Sequence, residues 1–150
     1  MSIKLTIELV PESAWFKNVR SEVKPSVWDK IKRKCAANAN HKCEVCSDTG
    51  FNQGVKWAVE CHEIWDYNDK THEQTLTGFI ALCPRCHKVK HPGLASMKGE
   101  THIVIQQLMK VNNMTRTEAN NYLQKSFQIF ENRSRHNWKL DISYFTKYIQ

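Results

Sequence analysis

Cys83-Pro84-Arg85-Cys86-His87-Lys88-Val89-Lys90-His91 joins a Cys-x-x-Cys knuckle to two histidines in one short run. A matching knuckle, Cys43-Glu44-Val45-Cys46, lies upstream, and Glu60-Cys61-His62-Glu63 stands between the two. Two thiols on one tight turn suit a metal better than a crosslink. Two such turns supply the four thiolates that tetrahedral zinc prefers. Cys43, Cys46, Cys83 and Cys86 are therefore expected to hold a closed, structural zinc ion. Reduced core thiols are the competing reading, and the paired spacing argues against it. His62, His87, His91 and two carboxylates stay outside that shell, which suggests chemistry and not only folding.

Outward from this unit, Trp57-Ala58-Val59-Glu60 reads as a first strand and Thr75–Leu82 as a second, rich in β-branched and apolar residues. The polar Trp65–Gln74 between them reads as a loop. Arg85–His91 has the length of about two helical turns and is stopped by Pro92-Gly93. The expected order over residues 41–93 is knuckle, strand, loop, strand, knuckle, helix. Before it, Ile3, Leu5, Ile7 and Leu9 alternate with Lys4, Thr6 and Glu8, the period of a half-buried strand ended by Pro11. Pro25-Ser26 opens a helix to about Asn38, with Ser26 as cap and Asp29 three residues on. Beyond residue 100 the chain reads as helical: Ile103, Leu108 and Met109 fall in one amphipathic segment, and Thr115 with Glu118 forms a capping box for a second. There Ala119, Tyr122, Leu123, Phe127 and Phe130 recur at helical spacing, as core packing requires.

The 150 residues fit a single α+β domain, small enough to benefit from a metal staple. Lys and Arg total 22 against 15 Asp and Glu, a formal net charge of +7, which favours polyanionic partners. Basic runs at Lys30, Lys32, Arg33 and Lys34, and at Arg133, Arg135, His136 and Lys139, face either phosphates or solvent. No apolar run is long enough for a membrane span. Met1–Val10 alternates and lacks the apolar centre of an export signal. The expectation is a reducing, cytoplasmic setting with Cys35 and Cys61 as free thiols.

His87 and His91 lie four apart, so on a helix both rings leave one face and can grip one ion, with His62 as a third nitrogen from a strand. Two alternatives stand: His87 replaces a cysteine in the zinc shell, or His91 interacts with the helix dipole. On a strand, Glu60 and His62 point to one side while Cys61 and Glu63 point to the other. If the strand ends near Cys61, Glu63 can turn toward the ion.

Val59-Glu60-Cys61-His62-Glu63-Ile64, followed by Ala81-Leu82 and the run Cys83–His91, resembles the HNH endonucleases. The resemblance covers about residues 41–93. It implies a ββα-metal finger stapled by a four-cysteine zinc, with helical N- and C-terminal flanks, and hydrolysis of DNA phosphodiester bonds. It also implies His62, His87 and His91 around a catalytic Mg²⁺, Mn²⁺ or similar ion, with His62, Glu63 and His87 as the catalytic residues. Glu63 stands where the family carries a second histidine as general base, and Gly78 stands near the place of its asparagine. A shifted register makes His62 the base, with Glu60 or Cys61 beside the ion; Asn68, Asp69 and His72 are further candidates for the missing role. Arg85, Lys88 and Lys90 would brace phosphates. The rival expectation is a non-catalytic, zinc-stapled module that binds nucleic acid or protein.

Overall fold

A long antiparallel hairpin carries the site. In the computed structural model, which describes residues 3–150, β1 (Glu60–Asn68) pairs with β2 (Glu73–Leu82) from Glu60↔Leu82 to Asn68↔Glu73. A short β3 (Lys139–Asp141) lies parallel to β2, leaving β1 at the sheet edge. Ile64 pairs with Gly78 and Trp65 with Leu76, so Thr77 is an extra residue on β2. The bulge leaves the alternation of β1 unbroken and turns both Leu76 and Phe79 into one apolar cluster.

This hairpin corrects the expected strand limits. β1 starts at Glu60, where the first strand was expected to end, and absorbs much of the expected loop. The reason lies in its own alternation: Trp65 and Tyr67 are half-buried while Asp66 and Asn68 are exposed. Asn68 Oδ1 then accepts the N–H groups of Lys70 and Thr71 and closes the turn.

Helices cover both faces, and the fold is α+β. On one side, Val19 of α1 (Val19–Glu22) and Ile31 and Cys35 of α2 (Pro25–Asn38) pack with Leu76, Phe79 and Ala81. On the other, Leu82 meets Val89 of α3 (Pro84–Lys90), which is followed by α4 (Pro92–Met97). Val104 and Leu108 of α5 (Thr101–Asn112) and Leu123 of α6 (Arg116–Arg133) complete that cluster. A final helix, α7 (Tyr144–Tyr148), places the Tyr148 ring 4.8 Å from Phe79.

The expected span of α2 holds, but its cap does not. Pro25 takes the first helical position, where its fixed φ fits and its missing N–H is no loss, so Lys24 is the cap residue and offers no side-chain bond. Ser26 is already inside, and Asp29 pairs with Lys32 at 3.2 Å. The capping box at Thr115 and Glu118 forms in both directions, at 3.1 and 2.9 Å. Pro92 follows the end of α3 as expected, and it also starts α4.

The alternating segment Ile3–Leu9 is not a strand. Leu5 and Ile7 are buried as the alternation demands, but the backbone finds side chains instead of a neighbouring strand. Asn112 Oδ1 accepts the N–H of Lys4 and of Leu5, Asn112 Nδ2 donates to Leu5 O, and Ile7 N–H donates to Tyr122 Oη. Backbone groups must be paired when buried, and here α5 and α6 do what a sheet edge would have done. No described helix is long and apolar enough to cross a membrane.

Candidate metal centres

Cys43, Cys46, Cys83 and Cys86 bring their sulfurs within 4.8 Å of one another, and Cys46 Sγ is 3.6 Å from Cys83 Sγ. Four sulfurs about 2.3 Å from one zinc ion stand roughly 3.8 Å apart, so the cluster can hold a metal ion such as zinc. The two knuckles are locked to each other. Glu44 N–H donates to Ala81 O and Ala81 N–H returns to Glu44 Oε2, which pins the first knuckle to the end of β2. Cys83 is the N-cap of α3, and the buried Gln107 of α5 donates to Cys86 Sγ at 3.2 Å. Donors aimed at sulfur are what a thiolate ligand needs from its surroundings. Protons shared among the sulfurs split their acidities. Hydrogen bonds from Cys83 and Cys86 hold Cys43 below the ordinary thiol range, the bond with Cys43 raises Cys86, and burial pushes Cys46 up to about 12. A divalent cation lets all four ionise together.

His62 of β1 and His87 and His91 of α3 and its C-cap form a second group, again with ligand atoms within 4.8 Å of one another. His87 Nε2 and His91 Nε2 are 3.2 Å apart. Two nitrogens bound at about 2.1 Å to one ion stand roughly 3.0–3.4 Å apart for angles between a right angle and the tetrahedral value, so the spacing fits a shared ion. Behind them, Glu60 Oε1 lies 2.7 Å from His87 Nδ1, and Trp57 Nε1–H donates to Glu60 Oε2 at 2.8 Å. That chain fixes the tautomer of His87 and presents Nε2 to the cluster. The hydrogen bond with His87 holds Glu60 below its ordinary range, against the opposing effect of burial. Burial, followed by the nearby His87 and His91, pulls His62 down to about 2. Burial of its inward edge and then His87 pull His91 down to about 4, although its outer edge is exposed. Both rings are thereby kept neutral, the form that ligates.

Because β1 runs unbroken through this point, Glu63 faces away from His62. Its Oε2 accepts the Val19 N–H at 2.9 Å, at the start of α1. Burial pushes the Glu63 carboxyl up, and the bond from Val19 offsets only part of the rise. Gly78 pairs with Ile64 beside the bulge. Asn68, Asp69 and His72 lie at the far end of the hairpin, about 20 Å along β1 from His62. Asn68 closes the turn, Asp69 receives Arg133 at 2.9 Å, and His72 stacks on His136 at 4.0 Å. The structure thus brings together the three histidines and Glu60 but not these loop residues.

Of the basic residues on α3, Arg85 is exposed, Lys88 pairs with Glu100 at 2.8 Å, and Lys90 is buried with its ammonium 3.0 Å from both Thr6 Oγ1 and Glu8 Oε2. His62, Glu63, His87 and His91 all border one cleft of about 630 Å³. Its other walls come from residues 8–20, α4 and α6, segments that no local pattern in the sequence ties to the histidines. Trp57, which orients Glu60, belongs to no metal-ligand pattern, and its place three residues ahead of Glu60 is the only trace of that role in the sequence. No protein-family model matches the chain, and no curated protein or solved structure matches it either.

Proposed function

We propose that this protein is a metal-dependent endonuclease of the HNH type that hydrolyses DNA phosphodiester bonds. The observation that carries this reading is the convergence of His62, His87 and His91 from a strand and a following helix onto one point, backed by Glu60 and opening on a cleft. A structural site would be closed, whereas three protein ligands with room beside them is the catalytic arrangement. A divalent ion held by these three histidines would supply charge neutralisation at the scissile phosphate and at the departing 3′-oxygen. Three imidazoles are nitrogen donors, so Mn²⁺, Ni²⁺ or Zn²⁺ suits them better than Mg²⁺, which prefers oxygen.

In this reading Glu63 is the base: it borders the same cleft, but because it leaves β1 on the face opposite His62 it takes the proton of the attacking water only after swinging out of its contact with Val19. Its raised pKa makes it a better base near neutrality than an ordinary glutamate. Arg85, exposed at the start of α3, braces a neighbouring phosphate, while the ion pairs of Lys88 and Lys90 withdraw those residues from that duty.

The rival reading, a non-catalytic zinc-stapled binding module, is favoured by one observation: Glu63 is turned toward α1. Incubation with supercoiled plasmid and with single strands, in Mn²⁺, Ni²⁺ or Mg²⁺ against EDTA, tests the two. The nuclease reading expects metal-dependent nicking that His87→Ala abolishes while the protein stays folded and zinc-loaded. Intact DNA under every ion transfers the conclusion to the binding module.

A further inference from the structure

The cleft beside the histidines is unusual in what it leaves exposed. Among the residues that line it, Trp15 is 52% exposed and lies parallel to Phe130 of α6, with centroids 5.8 Å apart and planes 8° off. Leu94 and Met97 of α4, which line it too, are 53% and 86% exposed. Large apolar side chains gathered around one opening mark a binding surface, since scattered ones need no partner but a lined cleft does. Lys17 and Arg20 border the same cleft, both exposed and in no ion pair among the described residues.

We propose that this cleft binds unpaired DNA, so that the strand delivered to the histidine cluster is single-stranded or locally opened. The inference rests on the nuclease reading for what happens at the histidines, but not for the binding itself. Its occupant has to present flat apolar faces and negative charge at once. Unpaired nucleotides do both: their bases stack on Trp15 and slide against Leu94 and Met97, while their phosphates meet Lys17 and Arg20. A duplex offers the charge but keeps its base faces inside its own stack, so the Trp15 ring would gain little from it. A protein segment could cover the apolar walls, yet the two free cations and the adjoining metal-type cluster match a polyanion better.

The test is fluorescence anisotropy with a short labelled single strand of mixed sequence and with the same strand annealed to its complement. The zinc-loaded His87→Ala protein is used, so that cleavage does not interfere. The expected result is single-strand binding at least tenfold tighter than duplex binding. Trp15→Ala should weaken the single-strand complex by about 5- to 150-fold, the worth of one base stacked on an aromatic ring, with duplex affinity unchanged. Because Trp15 Nε1–H also donates to Val10 O, Met97→Ala and a Lys17→Ala, Arg20→Ala double variant serve as independent probes. The former should weaken single-strand binding and the latter should flatten its salt dependence. Equal affinity for both forms, or single-strand binding untouched in all three folded variants, overturns the inference. The two readings separate cleanly. Cleavage of duplex and single strand at equal rates, indifferent to Trp15→Ala, keeps the nuclease and removes the unpaired-strand cleft. Trp15-dependent single-strand binding without cleavage under any ion does the reverse.

Discussion

Glu60 and His87 are joined side chain to side chain across β1 and α3, with Oε1 2.7 Å from Nδ1. The contact ties the position of a helix residue to the first residue of a strand, and it is continued by Trp57 on the other carboxylate oxygen. The ring nitrogen that faces the cluster is therefore set by a residue that does not belong to it.

Glu60→Gln should weaken binding of a Mn²⁺ or Ni²⁺ ion at the histidine cluster by about 10- to 100-fold, the usual effect of losing an orienting carboxylate. Isothermal titration of the zinc-loaded protein reads this directly. Trp57→Phe should show a smaller loss of the same sign, because it frees the carboxylate without removing it. Unchanged affinity in Glu60→Gln would mean that His87 does not need this partner.

Removal of a zinc ion bound by the four cysteines should unfold the protein outright. The apparent binding free energy of a structural zinc is about 10–16 kcal/mol, as large as or larger than the whole stability of an ordinary domain, about 5–15 kcal/mol. The knuckles hold the end of β2 to the start of α3 and, through Gln107, to α5. Circular dichroism during chelator titration should show helix loss in step with zinc release, and Cys86→Ser should behave like the chelated protein. Metal release with retained helix would show the cluster to be dispensable for folding.

The ligand pairs were legible in the sequence because their spacings are local: Cys43 with Cys46, Cys83 with Cys86, and His87 with His91 declare themselves within one turn of chain, whereas His62 reaches the histidine pair only through the fold. What lay outside local reading depended on distant partners. The Ile3–Leu9 alternation marks burial correctly, but only Asn112 and Tyr122, far along the chain, determine that its backbone bonds to side chains. The basic character of α3 suggested phosphate contacts, whereas Glu8 and Glu100 neutralise Lys90 and Lys88. The polar stretch after Trp65 hid a strand whose signal was the Trp65 and Tyr67 alternation alone. Trp15, Leu94 and Phe130 meet at one cleft only after folding, and no period or motif links them.

Asn112→Ala should cost about 3 kcal/mol. The side chain makes three hydrogen bonds to the backbone of Lys4 and Leu5, each worth about 1 kcal/mol net, and its loss leaves the buried Leu5 N–H unpaired. Urea denaturation should show a lower midpoint with an unchanged slope. A difference under about 0.5 kcal/mol, the range of an ordinary surface change, would mean that the N-terminal segment is held by Leu5 and Ile7 packing alone.

Acid should destabilise the protein through the histidine cluster, starting near neutrality. In the fold His62 is lowered to about 2 and His91 to about 4, both below their ordinary value of 6.5. The unfolded chain therefore binds more protons than the folded one in the window between these values, and stability rises with pH there. The stabilising contribution is complete above about pH 6.5. It falls as pH drops, to about pH 4 for His91 and further for His62, at no more than about 1.4 kcal/mol per pH unit for His62. His91 adds less because its outer edge is in water. Thermal melts from pH 7 to pH 4.5 should show this slope, and His62→Gln, which cannot take the proton, should flatten it relative to the parent. A zinc ion bound by the four cysteines would also leave in acid as thiolates protonate, but that loss is common to both proteins. A parent and a His62→Gln variant with parallel melting curves would show that His62 takes no part in the acid response.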